Sequence, residues 1–456
     1  MKSIFADKVL LPTGWADDVR ITTEHGRIRD IHVDQRPSRD DWQADCVIPG
    51  LANAHSHAFQ RALAGRTERR SPGGRDTFWT WRERMYSLAN AVDPERLRVI
   101  ARQAYAEMLC AGYTSVAEFH YLHRSPGSDD VDKAMFKALR KAAADAGIRL
   151  CYVPVLYERA GFSDDGPLPE QARFALDVDT FLSHVEDVRA DLDTEPKRLL
   201  SLGIGAHSIR AVTAESLARI ADWANSNGRP MHIHIAEQQR EVDQALAFYG
   251  RRPVRWLLEN HDVRDNWCLV HATHMDPDEV EAAALSGAVA CLCPSTEANL
   301  GDGLFALRRF LEQDGRIAIG SDSHISINPY EELRWLEYGQ RLAAQSRNVA
   351  AVRDSHTGRE LFERALDGGA RALGRSLPGL VEGADADLVC LYGEDPMLAG
   401  HDDRTRLDAI VFSGYRFPVE RVMVGGRWVV KAGEHRRAGD TRTAFASAVR
   451  ALADIV

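Results

Sequence analysis

The sequence predicts an α/β protein: a (β/α)8 TIM barrel with a small β-sandwich domain assembled from both chain ends. Three observations carry that prediction. Short apolar runs alternate with longer amphipathic stretches through eight cycles between residues 46 and 320, the grammar of repeated βα units around a parallel sheet. No glycine-rich dinucleotide fingerprint follows any of these runs, which disfavours an open doubly wound sheet. Both chain ends instead show short strand-like pieces with Gly-containing turns, the pattern of an antiparallel sheet. The expected division is 1–47 and 375–456 for the two halves of the β domain, and 48–374 for the barrel.

In chain order, residues 2–10, 18–23 and 27–33 read as strands, with a turn at Glu24-His25-Gly26. The eight barrel strands are read as 46–54, 114–119, 149–156, 201–206, 230–236, 267–272, 288–293 and 316–320. Helical stretches between them are 94–111, 131–146, 180–191, 213–227, 242–259 and 276–286. Thr213 with Glu215 in the first turn, and Asp276-Pro277, are good helix starts. Past the eighth strand, 329–344 and 358–373 read as helices. The tail then reads as strands at 387–391, 408–413, 421–424 and 427–430, the last two joined by Gly425-Gly426. Segment 58–90 is long for a barrel loop and carries Phe78, Trp79, Trp81 and Tyr86. A lid and a packed surface excursion both fit it.

Composition narrows the function. A formal charge of −10 leaves no basic face for a nucleic-acid backbone. Seven scattered cysteines, odd in number and mostly within apolar runs, match reduced buried thiols of a cytoplasmic protein. Cys291-x-Cys293 reads as two same-side residues of a buried strand. Asp7, Lys8 and Pro12 interrupt any signal-peptide run, and no stretch is long enough to span a bilayer. The expected partner is a small molecule, with neither nucleic acid nor membrane.

Reactive residues of a barrel sit at the C-terminal ends of its strands. The first strand ends in His55 and His57, which point to one side because they lie two apart. The fifth supplies His232, His234 and Glu237, the sixth His271 and His274, the eighth Asp322 and His324. His55, His57, His234 and Asp322 together form a zinc site with an open position for water; iron(II) or manganese(II) suits the same ligands. His234 is preferred to His232 because it lies nearer the strand end and sets the spacing to Glu237. Glu237 suits a proton shuttle, His271 polarises substrate or binds the attacking water, and Asp322 serves as both ligand and base. His232, His274 and His324 read as core or outer residues. Facing the same point are Gln60 after the metal pair, Arg82 in the long loop, Tyr121 after the second strand, and His207 and Arg210 after the fourth. Arginine grips carboxylates bidentately without losing its charge.

The set Pro49-Gly50-Leu51-x-Asn53-x-His55-x-His57, His234-x-x-Glu237, His271 and Ser321-Asp322 resembles the deaminase branch of the amidohydrolase superfamily. The tail Gly379-Leu380-Val381-Glu382-Gly383-Ala384-Asp385-Ala386-Asp387-Leu388-Val389 is similar to that superfamily's returning β domain. The resemblance implies a distorted TIM barrel, one divalent ion per subunit (usually zinc), hydrolysis of a C–N bond, and a homodimer. Binuclear members carry a carbamylated lysine at the end of the fourth strand; Gly205-Ala206-His207-Ser208 has none. The stretches from Asn53 to Arg61 and from His234 to Gln238 are similar to the N-formimino-L-glutamate iminohydrolase family within that branch. That likeness implies hydrolysis of a dicarboxylate amidine to N-formyl-L-glutamate and ammonia in histidine degradation, with Gln60, Arg82, Tyr121, His207 and Arg210 binding substrate. Rival readings are a deaminase of a purine, S-adenosylhomocysteine-like or triazine ring, and a non-catalytic barrel scaffold.

Overall fold

A computed structural model describes residues 2–70, 74, 76–163, 165–193, 199–353, 355–414, 418–453 and 455. Eight parallel strands follow one another around a barrel: Leu51–Ser56, Tyr113–His120, Arg149–Leu156, Ile204–Ser208, Met231–Ile235, Trp267–His271, Val289–Leu292 and Arg316–Ile319. A short strand, Leu200–Leu202, also pairs with the third. Nearly every residue of these strands is buried, as expected where helices cover the outside and side chains fill the inside.

The first and last strands meet through a parallel bridge between Ser56 and Asp322. Asp322 N–H donates to the His55 carbonyl at 3.0 Å, and His57 N–H donates to the Asp322 carbonyl at 3.1 Å. Gly320 permits this approach: a Cβ there would stand 2.8 Å from the His55 Cβ and 3.0 Å from the Cys293 sulfur. Two future site residues are thus locked by the backbone at the point where the sheet closes.

A separate eight-stranded sheet uses both chain ends. Trp42–Pro49 is its junction, parallel to Lys2–Leu11 on one side and antiparallel to Leu388–Leu391 on the other. It has its own core, including Ile4, Val9, Val19, Ile21, Val47 and Leu388. Buried Arg149, on the third barrel strand, donates to Asp387 at 3.0 Å and ties this sheet to the barrel.

Several boundaries differ from those read in the sequence. The run 46–54 divides at Gly50, its first half in the terminal sheet and its second in the barrel. The helix expected over 242–259 is two, Gln239–Tyr249 and Pro253–Asn260, because Gly250 takes a left-handed φ of 65° and Pro253 starts a new turn. Residues 408–413 are not a strand: 408–412 belong to helix Arg406–Phe412 and Ser413 caps it. An apolar run of that length carries no period to separate the two. The helix docks on Thr357–Ala372, where Asp408 accepts from Gly358 N–H at 2.7 Å. Segment 58–90 contains a 3-10 turn, Ala58–Leu63, and a helix, Phe78–Ala91. Among the described residues no helix is long and apolar enough to cross a membrane.

Candidate metal centre and active site

Four ligand atoms, one each from His55, His57, His234 and Asp322, lie within 4.8 Å of one another, all on buried side chains. His55 Nε2 stands 3.2 Å from His57 Nε2 and 3.0 Å from His234 Nε2. Asp322 Oδ1 lies 3.5 Å and 3.4 Å from the Nε2 atoms of His55 and His57. His57 Nδ1–H donates to the Phe119 carbonyl at 2.9 Å, and His234 Nδ1–H to the His207 carbonyl at 3.0 Å. A carbonyl only accepts, so these bonds leave both Nε2 atoms as bare lone pairs. Both face His55 Nε2, which can donate to only one of them, so at least one of these contacts sets two lone pairs against each other and repels unless a cation stands there. Imidazole nitrogens bound about 2.0–2.1 Å from a tetrahedral ion of zinc's size lie roughly 3.3 Å apart, so the spacing fits such an ion. Burial first, then neighbouring imidazoles, lowers the pKa values of His55 and His234; burial also lowers that of His57, against the pull of Asp322. All three are held neutral, the form that ligates.

The peptide segment bearing the first two candidate ligands is held by the second strand. Glu118, fully buried on the second strand, accepts from Ser56 Oγ at 2.7 Å, Ala58 N–H at 2.7 Å and Tyr105 OH at 3.1 Å. Asn53 exchanges two hydrogen bonds with Ser321, one residue before Asp322. Such outer contacts fix ligand orientation. The backbone is also strained at the strand ends: Ala236, His271, Ala272 and Asp322 have φ of 49°, 69°, 49° and 43°. Non-glycine residues held there cost about 1–3 kcal/mol each and cluster at functional sites.

His271 Nε2 lies 3.7 Å from Glu237 Oε1 and 3.9 Å from Asp322 Oδ2, while its Nδ1 is 3.2 Å from Glu297 Oε1. Burial opposes charge on this ring, but Glu237, Glu297 and Asp322 outweigh it and raise its pKa to about 10. Burial likewise raises Glu237 to about 7, which suits a group that takes up and releases a proton near neutrality. His271, Cys293 and Asp322 also cluster, but burial pushes the Cys293 thiol far up, away from the thiolate that would ligate.

Of the five residues expected at the substrate, Tyr121 and His207 pack on the candidate ligands, Gln60 bonds to Tyr121, and Arg82 and Arg210 reach the centre through a tyrosine pair. Gln60 Nε2 donates to Tyr121 OH at 3.3 Å, and the Tyr121 ring lies 5.3 Å from His57 and 5.7 Å from His207. The His207 ring is 5.0 Å from His234 and 4.7 Å from Tyr157. Arg210 bonds to Tyr157, Tyr157 OH is 3.5 Å from Tyr86 OH, and Arg82 lies 5.4 Å from the Tyr86 ring. The two guanidiniums therefore flank a tyrosine pair beside His207. Outside the cluster, His232 bonds the Ala372 carbonyl, His274 the Asp302 carbonyl, and His324 Ser56 and Ser321.

Sequence reasoning missed Glu297, Tyr157 and Gln171, the last donating to both Tyr86 and Tyr157. Glu297 had a signal, since Cys293-Pro294 ends the seventh strand and starts helix Pro294–Leu300. Gln171 had none: it ends a short 3-10 turn, Pro169–Gln171, far from any strand end.

The amidohydrolase family profile matches residues 46–429, and that of the N-terminal domain of formimidoylglutamate deiminase HutF matches residues 1–45. A formimidoylglutamate deiminase from Pseudomonas aeruginosa is 48% identical over 451 residues, 98% of this chain and 98% of that protein. Among solved structures, an amidohydrolase from Brucella melitensis superposes with a TM-score of 0.94 at 41% identity, covering 99% of this chain and 100% of that one. An atrazine chlorohydrolase from Arthrobacter aurescens TC1 complexed with zinc shares the fold, with a TM-score of 0.84 at 24% identity over 99% of this chain and 100% of that one. The chain belongs to the amidohydrolase family and carries, ahead of its barrel, the N-terminal domain of the formimidoylglutamate deiminases.

Proposed function

We propose that this protein hydrolyses N-formimino-L-glutamate to N-formyl-L-glutamate and ammonia, with one zinc ion per subunit held by His55, His57, His234 and Asp322. The observation that carries this reading is a charge layout: carboxylates Glu237, Glu297 and Asp322 gather around His271, while Arg82 and Arg210 reach the Tyr86–Tyr157 pair, which packs on His207. The substrate has the reverse layout, a cationic amidine at one end and two carboxylates at the other. The unbridged state of all seven cysteines is consistent with a cytoplasmic enzyme.

When bound, the ion acidifies a water and polarises the carbon–nitrogen bond. The rest is done by side chains. Arg82 and Arg210 hold the carboxylates, and Gln60, Tyr121 and His207 orient the amidine. Glu237 takes a proton from the attacking water and delivers it to the terminal nitrogen. His271, fixed by Glu297, donates a hydrogen bond to the developing charge. Asp322 accepts the second proton as the tetrahedral carbon collapses. One C–O bond forms and one C–N bond breaks; the departing ammonia takes the second proton from Asp322, so amidinium plus water become formamide plus ammonium. Purified enzyme incubated with N-formiminoglutamate, guanine, cytosine and S-adenosylhomocysteine, with ammonia as readout, tests the assignment. Release from the first alone is expected, and release only from a ring substrate would overturn it.

A further inference from the structure

The far end of the cavity holds more positive charge than two arginines. The indole of Trp79 lies 4.5 Å from the guanidinium carbon of Arg82, 4.5 Å from that of Arg240 and 5.9 Å from that of Arg210. The four residues come from three places: helix Phe78–Ala91, the segment after the fourth strand, and the first turn of helix Gln239–Tyr249, which starts just beyond Glu237. Among the described residues none of the three arginines pairs with a carboxylate, and one terminal nitrogen of Arg82 is buried without a partner. Burial, followed by Arg210 and Arg240 among its charged neighbours, lowers the Arg82 pKa, the mark of cations crowded together. Arg240 is also misplaced by local rules, since a helix N-terminus disfavours a cation. An aromatic face relieves part of this repulsion; an anion in the cavity relieves the rest.

Resting on the proposed substrate, we infer that Arg240, stacked on Trp79, is a specificity-determining residue whose third positive charge makes the pocket select dianions over monoanions. Arg82 and Arg210 can each face one carboxylate. Buried Glu241 already offsets part of the Arg210 charge; with only one substrate carboxylate present, Arg82 and the more exposed Arg240 still share that single counter-ion. Trp79 sets the geometry, holding the helix that carries Arg82 against the helix that carries Arg240.

Calorimetric titration of the metal-loaded enzyme with glutarate and with butyrate tests the clamp without relying on turnover. Wild type is expected to bind glutarate at least about tenfold more tightly than butyrate. Arg240→Ala should cut that ratio about fivefold or more while leaving butyrate affinity unchanged, and Arg240→Lys should restore most of it. Trp79→Ala should behave like Arg240→Ala. In kinetics, the Arg240→Ala defect should fall on KM for N-formiminoglutamate rather than on kcat. An unchanged glutarate-to-butyrate ratio in Arg240→Ala, or an equal loss for both acids, overturns the inference. Failure of wild type to release ammonia from N-formiminoglutamate would sink the substrate assignment, while the ratio would still decide the clamp.

Discussion

The two ends of the cavity are built by different means. The reacting end comes from barrel strand termini, with His55, His57, His234, His271 and Asp322 buried and their positions locked by backbone bonds. The proposed binding end is assembled from connecting segments: Arg82 from a helix inside a long loop, Arg210 from a turn braced by Arg159, Arg240 from the start of a helix. Chemistry that tolerates little displacement sits on the rigid frame. Selection among substrates sits on parts that can vary without disturbing it.

That contrast can be broken or sharpened experimentally. The largest effect is expected from metal removal: a chelator should abolish ammonia release, and added zinc should restore it. Full turnover in metal-free protein would refute the centre. Glu237→Gln should retain metal, as measured by elemental analysis, yet lose about a hundredfold to ten-thousandfold in kcat; loss of the ion would mean that Glu237 is a ligand instead. Arg210→Ala should raise KM about 10- to 100-fold, the scale of a lost charge-assisted contact, with kcat nearly kept. A kcat defect of the same size would erase the division between the two ends. The smallest kinetic effect should come from a residue belonging to neither. Asp387→Asn breaks the buried pair with Arg149 and should cost about 3–5 kcal/mol of stability in denaturant unfolding, leaving KM unchanged.

The Asp387 contribution has a defined pH window. Burial would raise this carboxyl, but Arg149 and Arg375 overcome burial and hold it below the ordinary range. Because the folded-state pKa is depressed, the stabilisation is complete above the unfolded value of about 3.9 and is lost as pH falls through the folded value. Unfolding curves of wild type and Asp387→Asn should converge as pH drops below that range.

The barrel is readable because parallel strands buried on both faces leave near-continuous apolar runs, and the candidate site residues because each stands where such a run stops. His55, His234, His271 and Asp322 all obey that single rule. Where the run was short and unperiodic, as at Ala409-Ile410-Val411-Phe412, local sequence could not separate strand from helix, and tertiary docking decided. Helix Ala438–Ala451 is not read from the sequence because its apolar stripe is thin, Phe445 and Val449 lying only half-buried against the core and Thr441 being its one buried residue. Glu118 sits two residues before the end of the second strand, yet nothing nearby reveals that its carboxylate grips the backbone 60 residues upstream. Arg240 is an ordinary exposed arginine until Trp79 arrives from 161 residues away.

The seam between Ser56 and Asp322 has a consequence for biogenesis. During synthesis the imidazoles of positions 55, 57 and 234 emerge well before the carboxylate at 322, and backbone closure must span the entire intervening chain. A truncated or half-folded polypeptide therefore offers an incomplete grip, and tight capture of the ion coincides with docking of the last stave. Metal retention thus doubles as a report that the ring has shut, and release of the ion should accompany the first opening of that seam on unfolding.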